Sequence, residues 1–262
     1  ATLSTPRIET YEAATPDDPT LSSALALYAW NAQVSAALLA PLHICEVSIR
    51  NAISEAIAAA HGPQWPWSAG FVRSLPNPVV GYNARSDLLS TRSHKTTTGQ
   101  VIADLKFVFW QTMVTSRFDA RLWVHHLRTV LPHADEHKTT AQIRSMVYSE
   151  LEQIRKLRNR IAHHEPIFQR NLATDFQKIH DLIATRCPIT AAWMLQNQNK
   201  GLLVPDEMPW REVLAYSEKY WGGYHSEAAD WDPLMHRNDL YKGWNGRVYD
   251  ESDPWQFSNF LA

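Results

Sequence analysis

Between Leu151 and Phe168 the chain reads LEQIRKLRNRIAHHEPIF. Six groups that carry or can accept positive charge (Arg155, Lys156, Arg158, Arg160, His163 and His164) fall there within ten consecutive residues. Like charge packed so densely is costly unless an anion offsets it, and RNA phosphate is the anion these side chains fit. A guanidinium offers a planar fork of donors that matches phosphate oxygens. An imidazole is the side chain best suited to exchange protons near neutral pH. RNA carries its own nucleophile, the 2′-hydroxyl beside each phosphate. Cutting there needs a base for that hydroxyl, an acid for the departing 5′-oxygen and positive charge on the phosphoryl oxygens. Arg158 and His163 are the candidate pair, and the products would be a 2′,3′-cyclic phosphate and a 5′-hydroxyl.

A helix must position them. Leu151, Ile154, Leu157 and Ile161 recur at helical spacing and commit one face to a core; the predicted span is about Thr140 to Glu165, stopped by Pro166. On a regular helix five residues at about 100° each put Arg158 and His163 roughly 140° apart, whereas Asn159 and His163, four apart, share a face. The spacing therefore predicts that Asn159 orients the imidazole. Arg158 and His163 would converge through side-chain reach, a loosened last turn, or a partner subunit's copy. Arg155 and Arg160 are expected to guide the RNA backbone. His164 and Glu165 either join the site or form a solvated helix end. The plainer alternative is that Arg158, Asn159 and His163 only cap and pair within a polar helix face.

The rest of the chain reads as helices around this one. Residues 1–19, with Pro6, Pro16 and Pro19, read as an irregular arm. Thr20 can cap a helix beginning at Leu21, and Pro41 either ends or kinks it. A second stripe from Leu42 to Ala60 follows, stopped by Gly62 and Pro63. Residues 62–81 read as a connection packed by its aromatics, and Tyr82 to Gly99 as a weakly helical polar segment. Periodicity returns from Val101 to Met113, from Asp119 to Leu131 and from Leu172 to Thr185, with a further piece around Trp193 beyond Pro188. Residues 201–262 hold five of the eleven tryptophans, and five Lys+Arg against eleven Asp+Glu. They read as an irregular acidic extension, which could shield a basic cleft. The first 200 residues then carry twenty basic against sixteen acidic side chains, so a polyanion site belongs among them. The expected division is an arm (1–19), a helical domain (20–200) and a Trp-rich extension (201–262).

Within this frame Arg158, a polar Asn159 and His163 resemble the Arg-x4-His signature of HEPN-fold ribonucleases, and Leu-Arg-Asn-Arg-Ile-Ala-His-His-Glu-Pro-Ile-Phe (157–168) resembles their Abi-like, abortive-infection branch. Two distant segments fit the same pattern. One is Tyr28-Ala29-Trp30-Asn31 with Glu46-Val47-Ser48-Ile49-Arg50-Asn51. The other is Ala103-Asp104-Leu105-Lys106-Phe107-Val108-Phe109-Trp110, which has Val108 where the family usually has glycine. The likeness covers roughly residues 21–195. It implies an all-α, HEPN-like helical bundle and a homodimer whose two motifs face one another across a shared cleft. It also implies cleavage of tRNA, rRNA or mRNA without a metal or other cofactor. A symmetric dimer supplies two histidines, one for each proton transfer. Arg50 and Asn51 repeat the central Arg-Asn pair and are candidate cleft contacts, with a structural hydrogen-bond role as the alternative. The associated biology would be toxin–antitoxin or anti-phage defence, with an antitoxin protein or small RNA as a further partner.

Two competing readings remain. The same basic face could belong to a non-catalytic module that binds RNA or protein. His133-Ala134-Asp135-Glu136-His137 spells an inverted zincin pattern, although Pro132 precedes it and no third ligand is marked. Cys45 and Cys187 read as reduced thiols. The expected absence of a leader and of an apolar run of about 18 residues points to a cytoplasmic protein with no membrane partner.

Overall fold

The structure, a computed structural model, describes residues 3–16 and 20–198; the expected extension 201–262 lies outside the described residues. Among the described residues all regular structure is helical, with no strand, so the chain is all-α as its periodicities predict.

The N-terminal arm is not irregular. Pro6 sits in the first turn of a helix, α1 (Thr5–Glu12), where its missing N–H has no intrahelical partner to lose. Fully buried Tyr11 docks α1 by edge and tilted contacts with Tyr28 and Phe168, at ring separations of 5.1 and 5.4 Å.

The two stripes on either side of Pro41 form one helix, α2 (Leu21–His61). It is about 60 Å long. Thr20 caps it by accepting from the Ser23 N–H at 3.2 Å, and Gly62 ends it at φ 87°. Pro41 costs a helix interior about 3 kcal/mol, yet here it is itself buried between Leu38 and Leu42, and packing on both sides carries the helix through. No charged residue lies between Leu21 and Cys45. Contrary to the expectation of no spanning run, α2 is long and apolar enough, by length and composition, to cross a membrane. Core helices pass the same test, and Leu27, Val34, Leu38, Cys45, Ile49 and Ile57 of α2 form the centre of this fold.

The connection after α2 packs through rings as expected. A 3-10 turn (Trp65–Trp67) and α3 (Ala69–Ser74) precede α4 (Ala84–Arg92), which Asn83 caps. The apolar run from Val101 to Met113 divides into α5 (Thr98–Asp104) and α6 (Phe107–Met113). Leu105, Phe107, Phe109, Trp110, Gln111 and Met113 are all buried, more than one stripe of a continuous helix can cover. Extended backbone at Leu105 and Lys106 re-aims them. A π-helical turn (Asp119–Trp123) leads into α7 (Val124–Val130).

The central helix is α8 (Thr140–Ala162), opened by a capping box between Thr139 and Gln142. Its buried residues Ile143, Val147, Leu151, Ile154, Leu157 and Ile161 keep the expected rhythm. α9 (Leu172–Arg186) and α10 (Pro188–Gln198) follow, with Pro188 opening the last helix. Ile49 and Ile53 of α2 line an apolar cleft with Val147, while Asn31 of α2 bonds Ile167 just beyond α8. The two helices therefore run antiparallel.

Candidate functional site

The basic stretch of α8 falls into two parts with different surroundings. In the middle, Glu152 accepts from the Gln111 amide at 2.6 Å and from Arg155 Nη2 at 2.9 and 3.0 Å, with Lys156 Nζ at 3.5 Å. Burial alone would raise the Glu152 carboxyl. The hydrogen bonds from Gln111 and Arg155, with the charges of Arg155 and Lys156, outweigh it and hold the group below its ordinary range. Arg155, expected to guide RNA, spends its donors on this carboxylate.

At the C-terminal end the helix stops three residues earlier than predicted. His163 is the cap (φ −93°, ψ 8°), its N–H bonded to the Asn159 carbonyl at 2.9 Å. His164 follows at φ 55°, the left-handed region. Its N–H reaches the Ile161 carbonyl at 3.0 Å and the Glu165 N–H reaches the Arg160 carbonyl at 2.8 Å. This is a Schellman closure with histidine at the position usually held by glycine, at a backbone cost of roughly 1–2 kcal/mol.

Neighbouring elements hold that turn. Arg7 Nη1 of α1 donates to the His164 carbonyl at 2.6 Å. Arg160 Nε donates to the Pro166 carbonyl at 3.0 Å and its guanidinium lies 3.8 Å from Glu165. The buried Asn31 Oδ1 accepts the Ile167 N–H at 2.7 Å, and Ile167 is fully buried. Arg160 thus ties the helix end together, which accounts for its conspicuous position in the motif without RNA.

The remaining groups are uncommitted. Among the described residues the side chains of Arg158, Asn159, His163 and His164 have no hydrogen-bond or ion-pair partner; Arg158 and both histidines are exposed and Asn159 is partly so. The expected bond from the Asn159 amide to the imidazole is not made, and the link between Asn159 and His163 is main-chain only. Because the cap N–H still closes onto Asn159, His163 stays near its helical position. Arg158 leaves the helix on another side, and one chain does not bring the two into contact.

Arg50 and Asn51 lie elsewhere. Arg50 pairs with Glu46 and donates to the Ala103 carbonyl at 3.2 Å, the structural alternative, while Asn51 is exposed. Both sit on α2 level with Val147, sixteen residues before His163, or about 24 Å along α8. The structure therefore groups Arg158, Asn159, His163 and His164 and leaves Arg50 and Asn51 apart.

Sequence reasoning missed Arg7, Gln111 and Glu152, and quoted Asn31 only within a family-like segment. A tyrosine four residues after an arginine, itself just after a proline, was the one local signal for α1.

Among the described residues no group of three or more His, Cys, Asp or Glu could hold a metal ion. His133 and His137 are not on a helix. Their segment is an exposed turn in which Asp135 accepts the His137 N–H at 2.9 Å and pairs with Lys138 at 3.2 Å. Both cysteines are free; burial, then the charge of Glu46, pushes the Cys45 thiol up to about 12.

Comparison with known proteins finds no matching family model and no matching solved structure. A stretch of 85 residues, 30% of this chain, is 34% identical to the homospermidine synthase of Mesorhizobium japonicum. Another of 70 residues, 27% of the chain, is 36% identical to that of Blastochloris viridis. The chain matches 17% and 14% of the lengths of those enzymes.

Proposed function

We propose that the chain is an HEPN-type, Abi-like endoribonuclease that works as a homodimer and without a metal ion. In this reading it acts on cytoplasmic tRNA, rRNA or mRNA as the effector of an abortive-infection or toxin–antitoxin system, restrained by an antitoxin protein or small RNA. One observation carries the reading: at the end of α8 a guanidinium and two imidazoles stand exposed and unpartnered on an otherwise tied-down turn. Evenly solvated surface charge would not be framed in this way.

The step needs three things. One His163 takes the proton of the 2′-hydroxyl as its oxygen bonds to phosphorus. The bond from phosphorus to the 5′-oxygen breaks, and a second imidazole returns a proton to that oxygen. Arg158 bonds the non-bridging oxygens as charge builds there. Base, acid and positive charge are then all supplied by side chains. His163 of a second copy provides the second proton carrier, and Arg158 of one copy with His163 of the other overcomes their angular separation.

The uncharged outer face of α2 suits a second copy. Leu25 and Leu39 are 41% and 54% exposed, and Ala32 is exposed midway, seven residues from each. A face symmetric about one residue meets itself when two copies pack antiparallel about a two-fold axis, and alanines allow close approach. Asn31, which holds Ile167, lies one residue from that midpoint on the buried side of α2, so the same packing sets the two helix ends at the height of the axis.

A stretch as short as the one shared with the homospermidine synthases brings a segment and not a reaction, so polyamine synthesis forms no part of the reading. The test is end-group mapping of cellular RNA after brief induction. New 5′-hydroxyl ends are expected with the wild type, in chelator as well, and none with His163→Ala. RNA that is bound in a salt-dependent way and never cut would favour the non-catalytic module instead.

A further inference from the structure

The contact that reaches furthest across the sequence toward the helix end comes from α1. Arg7 and His164 are 157 residues apart, and Arg7 Nη1 lies 2.6 Å from the His164 carbonyl oxygen. α1 holds that guanidinium in place because Tyr11, one turn on, is fully buried against Tyr28 and against Phe168 of the same segment.

We infer that Arg7 is a positioning residue of the site: it holds His164 in its left-handed conformation and thereby fixes the direction in which His163 is presented. Three features of the turn support this role. His164 bears a Cβ at φ 55°, a conformation that reverts when unsupported. The Schellman bonds restrain the peptides on either side of it, from the His164 N–H to Ile161 and from the Glu165 N–H to Arg160, and Arg7 adds the one bond described to the His164 carbonyl oxygen itself. The peptide between His163 and His164 belongs to both residues, so rotation about the second re-aims the backbone that carries the first imidazole. Small misplacements of a proton carrier are costly to rate.

The inference rests on the ribonuclease reading, and the experiment separates the two. Cleavage kinetics are compared for wild type, Arg7→Ala and Arg7→Lys, and for Arg7→Ala made in a His164→Gly background. Arg7→Ala is expected to lower kcat about tenfold with KM for RNA nearly unchanged, and Arg7→Lys, which keeps a donor, to recover most of the rate. Glycine takes the left-handed conformation without help. With His164→Gly in place the added cost of Arg7→Ala should therefore shrink to about twofold, a coupling that simple loss of stability would not show. A rise in KM alone would make Arg7 a phosphate contact and overturn the inference, as would an equal cost in both backgrounds. If the wild type cuts no RNA, the ribonuclease reading fails by itself. Amide hydrogen exchange then decides the tie without RNA. Faster exchange at His164 and Glu165 in Arg7→Ala supports it, and unchanged exchange overturns it.

Discussion

The middle and the end of α8 carry nearly the same residue types and come to opposite ends. Around Glu152, two basic side chains and the Gln111 amide converge on one carboxylate, which offsets their charge locally. One turn later the basic side chain at Arg160 goes to the backbone of Pro166, and Arg158, His163 and His164 keep theirs for solvent. Density of charge along a helix therefore says little about where an anion binds. What counts is which charges have already been taken up: those of Arg155 and Lys156 by Glu152, and that of Arg160 by Glu165 and the Pro166 carbonyl.

The contrast breaks most visibly at the end of the helix. His163→Ala and Arg158→Ala are each expected to lower RNA cleavage at least about a hundredfold, while thermal midpoints stay close to wild type because neither side chain has a partner to lose. Cleavage surviving both changes would move the chemistry elsewhere. Next comes self-association: Leu25→Glu with Leu39→Glu should give a monomer in sedimentation at micromolar protein and most of the cleavage should disappear. A dimer that persists would put the shared face somewhere other than α2.

Smaller effects sharpen the distinction. Asn31→Leu leaves the buried Ile167 N–H unpaired and is expected to cost about 1–3 kcal/mol in denaturant unfolding. Arg155→Ala should cost about 1 kcal/mol, since the pair is partly exposed, with cleavage within a few-fold of wild type. Were Arg155→Ala to abolish cleavage at unchanged stability, the middle of the helix would belong to the site. The smallest effect depends on pH. The folded Glu152 carboxyl lies below its ordinary value of 4.5, so its contribution is present above that value and is lost as pH falls through the folded one. The stability gap between wild type and Glu152→Gln should accordingly close below about pH 4.5 in acid titrations of the melting temperature.

Local signals carried much of the fold. Thr20 marks a helix start that the structure keeps, α8 begins at Thr140 as expected, and the Leu151 to Ile161 rhythm places it against the core. Proline misled more than once: Pro6 opens a helix, Pro41 is absorbed by one, and Pro166 lies beyond the turn at His163 and His164 that already closes α8. The site was legible as residue types and not as an arrangement. How the helix end is tied down depends on Gln111, Asn31 and Arg7, whose partners are 41, 136 and 157 residues away. A window of one or two turns contains the pairs of Glu152 with Arg155 and Lys156 but none of these ties.

The continuity of α2 through Pro41 has a mechanical result. One rod touches α8 near its beginning, at Val147, and grips the chain just past its finish, at Ile167. Sliding or tilting α8 must therefore strain both grips at once, so its C-terminal end cannot loosen while the opposite end stays seated. Heat should release the whole length in a single concerted event.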